Sequence, residues 1–279
     1  MAKVLSISSQ VIYGHVGNSA AAFVLRRMGH DVLAAPTIIL SNRPGYKAIA
    51  GEPIAPAMLD AMLRAALANG LLDGLDAVLT GYMPAPGHAE FCRSWIETIR
   101  AKSPGCVYLC DPIVGDEPSG VYVAEDAARA VRDLLVPLAG ILTPNAFELG
   151  WLSGRAAGDL AGAIAAANAL RRPTVVVTSA PAAAPGMLAN LCVAGGKATA
   201  TQSPRRFVQA HGTGDFFAAI FLAHKLNGFA ASAALRAATA AIDYVLERSA
   251  GRSELALIET QDIWAKKAPA LAPLAPFQV

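Results

Sequence analysis

The chain is short of charge. Only 16% of its 279 residues are Asp, Glu, Lys or Arg, the 23 basic residues nearly balance the 21 acidic ones, and no Lys/Arg run exceeds a pair such as Arg26-Arg27 or Lys266-Lys267. A surface without an excess of one sign has no field to gather a polyanion or an anionic bilayer, so neither nucleic acid nor membrane is expected as a partner. Long apolar spans are missing too: the longest uncharged stretch, residues 173–196, is interrupted by Pro181, Pro185, Gly186, Gly195 and Gly196 and cannot form one spanning helix. The first apolar run, Val4 to Ile7, is too brief for a signal-peptide core, and a cytoplasmic location is expected. Cys92, Cys106, Cys110 and Cys192 form neither a Cys-x-x-Cys pair nor a cluster with His, which leaves zinc without ligands at workable spacing. The thiols are expected as small buried hydrophobes. A dinucleotide fingerprint, a Walker phosphate loop, a repeat of fixed period and a Gly/Ser linker are likewise absent.

What is present is apolar patterning, with 54% of residues hydrophobic. Short β-branched runs at 3–8, 31–36, 77–80, 107–110, 140–143 and 174–178 read as buried strands. Between them, segments with helical spacing lie at 18–28, 56–69, 87–101, 125–136, 145–153, 159–170, 214–226 and 230–248. This alternation is that of βα units around a mainly parallel sheet, the α/β class. Residues 187–193 and 198–202 flank the four-residue turn Ala194 to Lys197 and read as an antiparallel edge hairpin. One domain over 1–262 is expected, followed at 263–279 by an Ala/Pro-rich tail carrying Pro269, Pro273 and Pro276.

The most informative segment is 210–219, AHGTGDFFAA, where a glycine-flanked turn opens into an apolar helix. The first N–H groups of a helix have no internal partner and sit at the positive end of its dipole, so Gly212, Thr213 and Gly214 can present donors to a phosphate. Asp215 would lie beside that phosphate as the candidate base for an attacking alcohol. The same helix end is expected to lower its pKa, which a late proton transfer tolerates. Thr213 and Asp215 are also ordinary helix-start residues. Asp111 follows the strand at 107–110 and precedes Pro112, at the carboxyl end of a strand where ligands of open sheets sit and where a hard cation finds oxygen; equally, it is a turn aspartate. Asn145 and Glu148, three apart, match a capping box that needs no catalytic role. Thr178 and Ser179 end another strand with two hydroxyls, usable for a phosphate or for a turn. A lone histidine such as His15, in the turn after the first strand, more often holds structure than does chemistry.

In this order the segments resemble the pyridoxal kinases of the ribokinase-like superfamily, across roughly residues 3 to 250. The resemblance rests on 9–21 (SQVIYGHVGNSAA), Ser41-Asn42, Leu79-Thr80-Gly81-Tyr82, Cys110-Asp111-Pro112, Thr143-Pro144-Asn145, Thr178-Ser179 and Gly212-Thr213-Gly214-Asp215. It implies a three-layer sandwich, a homodimer, and ATP-dependent phosphorylation of the 5′-hydroxymethyl group of pyridoxal, extending to pyridoxine and pyridoxamine. By the same resemblance Asp215 is the base and Gly212 to Gly214 the anion hole, while Asp111 and Glu148 organise Mg²⁺ through water. Asn145, Thr178, Ser179 and Asp116 are expected on the ATP phosphates, and Tyr122 in a flap that excludes water. Ser9, Val16 and Tyr82 are expected around the pyridine ring. A monovalent cation, K⁺ or Na⁺, is a further cofactor to test.

One departure stands out. After Ser41-Asn42 many relatives carry His-Thr where this chain has Arg43-Pro44, so a hydroxyl within reach of the substrate is lost and a guanidinium gained. Arg205 and Arg206 read as exposed surface rather than as nucleotide ligands. The alternatives are a hydroxymethylpyrimidine kinase, a non-catalytic pyridoxal 5′-phosphate binder, and a sugar kinase, against which the compact N-terminus argues.

Overall fold

The computed structural model describes residues 1–182 and 184–265. A nine-stranded sheet is assembled from β1 (Lys3–Tyr13), β2 (Asp31–Asn42), β3 (Gly51–Pro53), β4 (Ala77–Thr80), β5 (Val107–Cys110), β8 (Ile141–Leu142), β9 (Thr174–Pro181), β10 (Met187–Ala194) and β11 (Lys197–Pro204). Their spatial order is β11-β10-β9-β8-β5-β4-β1-β2-β3. From β2 through β9 neighbouring strands run parallel. Antiparallel pairing is confined to the edges, β3 at one and the β10–β11 hairpin at the other. A separate two-stranded ribbon, β6 (Gly115–Asp116) with β7 (Gly120–Val121), projects from the chain after β5.

Side-chain alternation along the buried strands feeds two helical layers. On one face Val4, Leu79, Leu109 and Val176 pack with α1 (Asn18–Arg27), α7 (Thr213–Leu226), α8 (Ala231–Arg248) and α9 (Leu257–Trp264). On the other, Leu5, Ile7, Val78, Tyr108 and Leu142 meet α2 (Pro56–Ala68), α3 (Pro86–Lys102) and α4 (Glu125–Ala130). There α5 (Ala146–Ser153) and α6 (Leu160–Ala169) cover Val175, Val177 and Leu191. This is the expected three-layer α/β sandwich, and all four cysteines are buried and free. Among the described residues no helix is long and apolar enough to cross a membrane.

Several boundaries moved, each for a physical reason. β1 and β2 run several residues beyond the apolar runs that announced them, because ladder pairing continues through the polar Ser8-Ser9-Gln10 after a register shift opposite Pro36 to Ile39. The helix expected at 125–136 holds α-geometry only to Ala130, passes through a π-turn at Val131–Leu135 and ends in a 3-10 turn at Val136–Leu138. Pro137 lacks the donor and crowds the residue before it. Ala194 pairs directly with Lys197, so the hairpin turn is the two residues Gly195-Gly196, both at positive φ, rather than four. Neither β3 nor α9 was expected. Trp264, in the last turn of α9, stacks edge-on against Phe23 and Phe216 at 5.8 and 5.4 Å. The tail expected from 263 thus begins with two helical residues, and 266–279 lie outside the described residues.

Connections leave β1 towards β2 on one side and β4 towards β5 on the other. The crevice above the carboxyl ends of β1 and β4 is therefore the topological switch point, where open α/β sheets take their ligands.

Candidate active site

Gly212 caps α7 at φ +94°, and a Cβ built on it would lie 1.7 Å from the His15 carbonyl oxygen. Only glycine lets the 14–17 turn press against the start of this helix. Among the described residues no hydrogen bond engages the N–H groups of Gly212, Thr213 or Gly214, so these three amides remain open donors. Asp215 follows in the first turn. Burial pushes its carboxyl up to about 6, although the Gly17 amide and its own amide hold it down. The lowering expected from the helix dipole is therefore outweighed, because desolvation of a carboxylate exceeds the field of two or three amides. The ionised carboxylate is thereby a stronger proton acceptor than an exposed aspartate.

Asp111 emerges from β5 with its N–H donating to the Thr80 carbonyl at 2.9 Å. Its Oδ1 accepts from the Thr143 hydroxyl at 3.0 Å. Its Oδ2 is buried with no hydrogen-bond partner, and lies 3.8 Å from where a Cβ on Gly214 would stand. A buried unpaired carboxylate oxygen is costly unless a ligand completes it. Burial first, then Glu148 and Asp215, raise the Asp111 carboxyl well above the ordinary range. Asp111 and the start of α7 at Thr213, far apart in sequence, thus share one cleft.

The Asn145–Glu148 pair is the capping box that its spacing suggested. Asn145 Oδ1 accepts from the Glu148 N–H and Glu148 Oε2 from the Asn145 N–H, both at 2.9 Å. Glu148 reaches further, however: its Oε1 accepts from the Val114 N–H at 2.8 Å, while Asn145 Nδ2 donates to the Gly115 carbonyl at 2.8 Å. The cap therefore also fastens the base of the β6–β7 ribbon. Burial raises the Glu148 carboxyl to about 7 despite these amides. Asp116 is exposed on that ribbon, and Tyr122, which donates its N–H to the Val114 carbonyl, stands near Glu148, Asp111, Asp116 and Asp215. Although the residue is half exposed, desolvation of the phenol and these four carboxylates raise its pKa. Thr178 bridges to Asn145 in parallel pairing, and Ser179 adopts φ +55°, with its N–H donating to Asn190 Oδ1 at 3.1 Å. A non-glycine residue in this region is strained, and here the strain turns the chain at the rim of the cleft.

At the switch point, Ser8 Oγ accepts from the Tyr82 N–H at 3.2 Å and Thr37 Oγ1 donates to the Tyr82 carbonyl at 2.8 Å. Both amide groups of Tyr82 are thereby fixed. Ser9 and Val16 are half-buried on either side of Gly17, whose backbone presses on Ser9. Arg43 does not enter the pocket as a free donor: Glu254 Oε1, the Pro44 carbonyl and the Ser253 carbonyl occupy its nitrogens. Arg206, expected as exposed surface, is instead half-buried and forks onto Asp243 at 2.6 and 3.2 Å. Sequence reasoning gave no role to Ser8, Thr37, Thr143 or Glu254. Ser8 and Thr143 stood in segments already singled out, and for Thr143 a hydroxyl one strand over from Asp111 was the available signal.

A Mg²⁺ ion fits this arrangement at Asp111. No three Asp, Glu, His or Cys side chains converge to cage a metal among the described residues, but Mg²⁺ keeps waters and takes the rest of its shell from phosphates. Glu148, with both oxygens on amides, fits as a wall of the site. Three carboxyls with raised values also make a stability prediction. Their native forms hold protons that the unfolded chain releases, so their stabilisation is complete in acid and is lost as pH rises through about 6 for Asp215 and about 7 for Glu148. Asp111→Asn, which removes one charge and keeps the shape, is expected to raise the unfolding free energy of the cation-free protein by about 1–2 kcal/mol at pH 8 and by less at pH 4. Urea denaturation at both pH values measures this, and equal gains would show that the cluster carries no electrostatic strain.

Comparison with known proteins places these features in a family. The model described as phosphomethylpyrimidine kinase matches residues 25–255. A pyridoxal kinase PdxY of Leifsonia xyli subsp. xyli is 38% identical over 94% of this chain and 95% of its own. A pyridoxine/pyridoxal/pyridoxamine kinase of Bordetella bronchiseptica is 40% identical over 91% of this chain and 92% of its own. The crystal structure of Leishmania donovani pyridoxal kinase with ADP and pyridoxamine superposes with a TM-score of 0.89 at 30% identity, covering 99% of this chain and all of that one. These relationships show that the chain belongs to the phosphomethylpyrimidine kinase family and, within it, to the pyridoxal kinases.

Proposed function

We propose that this chain transfers the terminal phosphoryl group of ATP to the 5′-hydroxymethyl oxygen of pyridoxal, giving pyridoxal 5′-phosphate in B6 salvage. The observation that carries the reading is the meeting, in one cleft, of Asp215, the open amides of Gly212 to Gly214 and the unpaired Oδ2 of Asp111. In the reaction the acceptor alcohol lies on Ser9, Val16 and Tyr82, with its oxygen towards Asp215. The Asp215 carboxylate takes the hydroxyl proton as the oxygen bonds to phosphorus, and the Gly212 to Gly214 amides stabilise charge on the moving group. Asn145, Thr178, Ser179 and Asp116 line the path of the triphosphate, and Tyr122 on its ribbon excludes water. Bound at Asp111, Mg²⁺ supplies charge neutralisation of the phosphates. A homodimer is part of the proposal, for which Ile12, Tyr13 and Ile39, exposed on the overhanging ends of β1 and β2, offer an apolar face; light scattering tests it. A cytoplasmic location and a K⁺ or Na⁺ requirement complete the proposal.

The family model favours a second reading, phosphorylation of a hydroxymethylpyrimidine, which would use the same phosphate machinery. Incubation with ATP, Mg²⁺ and each alcohol in turn, in K⁺ and in Na⁺ buffers, separates the two by mass detection of product. Pyridoxal 5′-phosphate is expected to form at least tenfold faster than phosphorylated pyrimidine, an order of magnitude being the usual worth of one mismatched pocket contact. The reverse ranking would transfer the assignment to the pyrimidine.

A further inference from the structure

We infer that the buried Arg43–Glu254 ion pair is a positioning device for the acceptor pocket. It anchors the 14–17 turn from behind and thereby sets where Val16 and the Gly17 amide stand relative to the substrate and Asp215. The inference rests on the kinase reading and adds to it a pair with no assigned role.

The chain of contacts is continuous. Arg43 Nε donates to Glu254 Oε1 at 2.8 Å, and the two side chains are only 6% and 10% exposed. The guanidinium is held further by the Ser253 carbonyl at 2.6 Å and the Pro44 carbonyl at 2.8 Å, and it lies 4.9 Å from the ring centre of Tyr46. The Tyr46 hydroxyl donates to the same Glu254 Oε1 at 2.8 Å. The second oxygen, Oε2, faces the turn: it accepts from the His15 N–H at 3.2 Å and lies 3.1 Å from where a Cβ on Gly14 would be. From the far side, the His15 carbonyl presses on Gly212, and the Gly17 amide is near enough to Asp215 to lower its pKa. The turn is thus clamped between Glu254 and the start of α7, and Val16 sits inside the clamp.

The geometry needs a cation at Arg43. A buried carboxylate at 254 is costly to leave unpaired, and a forked guanidinium both satisfies it and bonds two carbonyls in fixed directions. The pair therefore acts on the pocket through the 14–17 turn, with no guanidinium nitrogen left as a free donor.

Three variants test this. Tyr46→Phe removes one hydrogen bond to Glu254 and leaves the ion pair; Arg43→Met removes the cation; Arg43→Lys keeps charge but loses the fork. The expected result is a KM for pyridoxal raised about threefold, about thirtyfold and about tenfold respectively, with the KM for ATP within twofold of wild type in all three. A role confined to holding the fold together would instead lower the midpoint of thermal unfolding and the active fraction, and so kcat, without separating the two KM values. Should Arg43→Met fail to fold, Tyr46→Phe and Arg43→Lys still decide. Wild-type turnover with an unchanged acceptor KM in the variants overturns the positioning role alone. A wild-type protein that neither binds pyridoxal by calorimetry nor phosphorylates it overturns the kinase reading and this inference together.

Discussion

Asp215→Asn is expected to lower kcat by two or more orders of magnitude while leaving the affinity for ATP within a few-fold of wild type. The substitution preserves shape and one hydrogen-bonding oxygen, so the Gly17 amide keeps a partner and α7 still starts at Thr213. On the proposed mechanism what is lost is the acceptor for the alcohol proton, an interaction made only as the reaction proceeds, and such a loss appears in kcat. Burial that pushes this carboxyl up to about 6 also places it closer to the proton affinity a neutral-pH base requires. The working form is the ionised one, so the rate falls as pH drops through about 6 in the cleft as it stands without ligands. In the variant that acid limb disappears. Steady-state kinetics from pH 5 to 8, with nucleotide affinity by calorimetry, make the measurement. An unchanged kcat, or an acid limb that survives the substitution, removes Asp215 from proton transfer.

Much of the fold was legible because parallel strands buried on both faces announce themselves as β-branched runs: β4 and β5 matched residue for residue. Strand continuation was not legible where pairing rather than side-chain character decides it, as in the polar second half of β1. α9 escaped because only the packing of Trp264 against Phe23 and Phe216, residues distant in sequence, makes that segment worth folding. The same distinction runs through the site. Helix-start chemistry at 212–215 and the cap at 145–148 are local, and their spacing suffices to read them. The raised value of Asp215 is not local, since it depends on how completely the 14–17 turn and β5 exclude water from that carboxylate. Nor is the destination of Arg43, whose partner lies 211 positions away.

Gly212→Ala should be the most damaging single methyl in the protein, with kcat/KM expected to fall by about three orders of magnitude, the upper end for loss of one preorganised donor. At φ +94° an alanine is strained before any contact is considered, and its Cβ would stand 1.7 Å from the His15 carbonyl oxygen. One of two things must move. If the start of α7 retreats, the Gly212 to Gly214 amides no longer converge on the proposed phosphate position. If the 14–17 turn retreats, Val16 leaves the proposed ring pocket, the Gly17 amide moves from Asp215, and Glu254 loses the His15 N–H. Either displacement separates groups that must act within a few tenths of an ångström of one another. Gly214→Ala is the matched control: the new methyl would come no closer than 3.8 Å to Asp111 Oδ2, an ordinary contact at a residue with helical rather than left-handed backbone, so the fold should be unaffected. Comparing the two by urea denaturation and by kcat/KM separates the effects. Gly212→Ala should lose about 1–2 kcal/mol of stability as well as activity. Retention of more than a tenth of wild-type activity by Gly212→Ala would mean that neither segment is held where the reaction needs it.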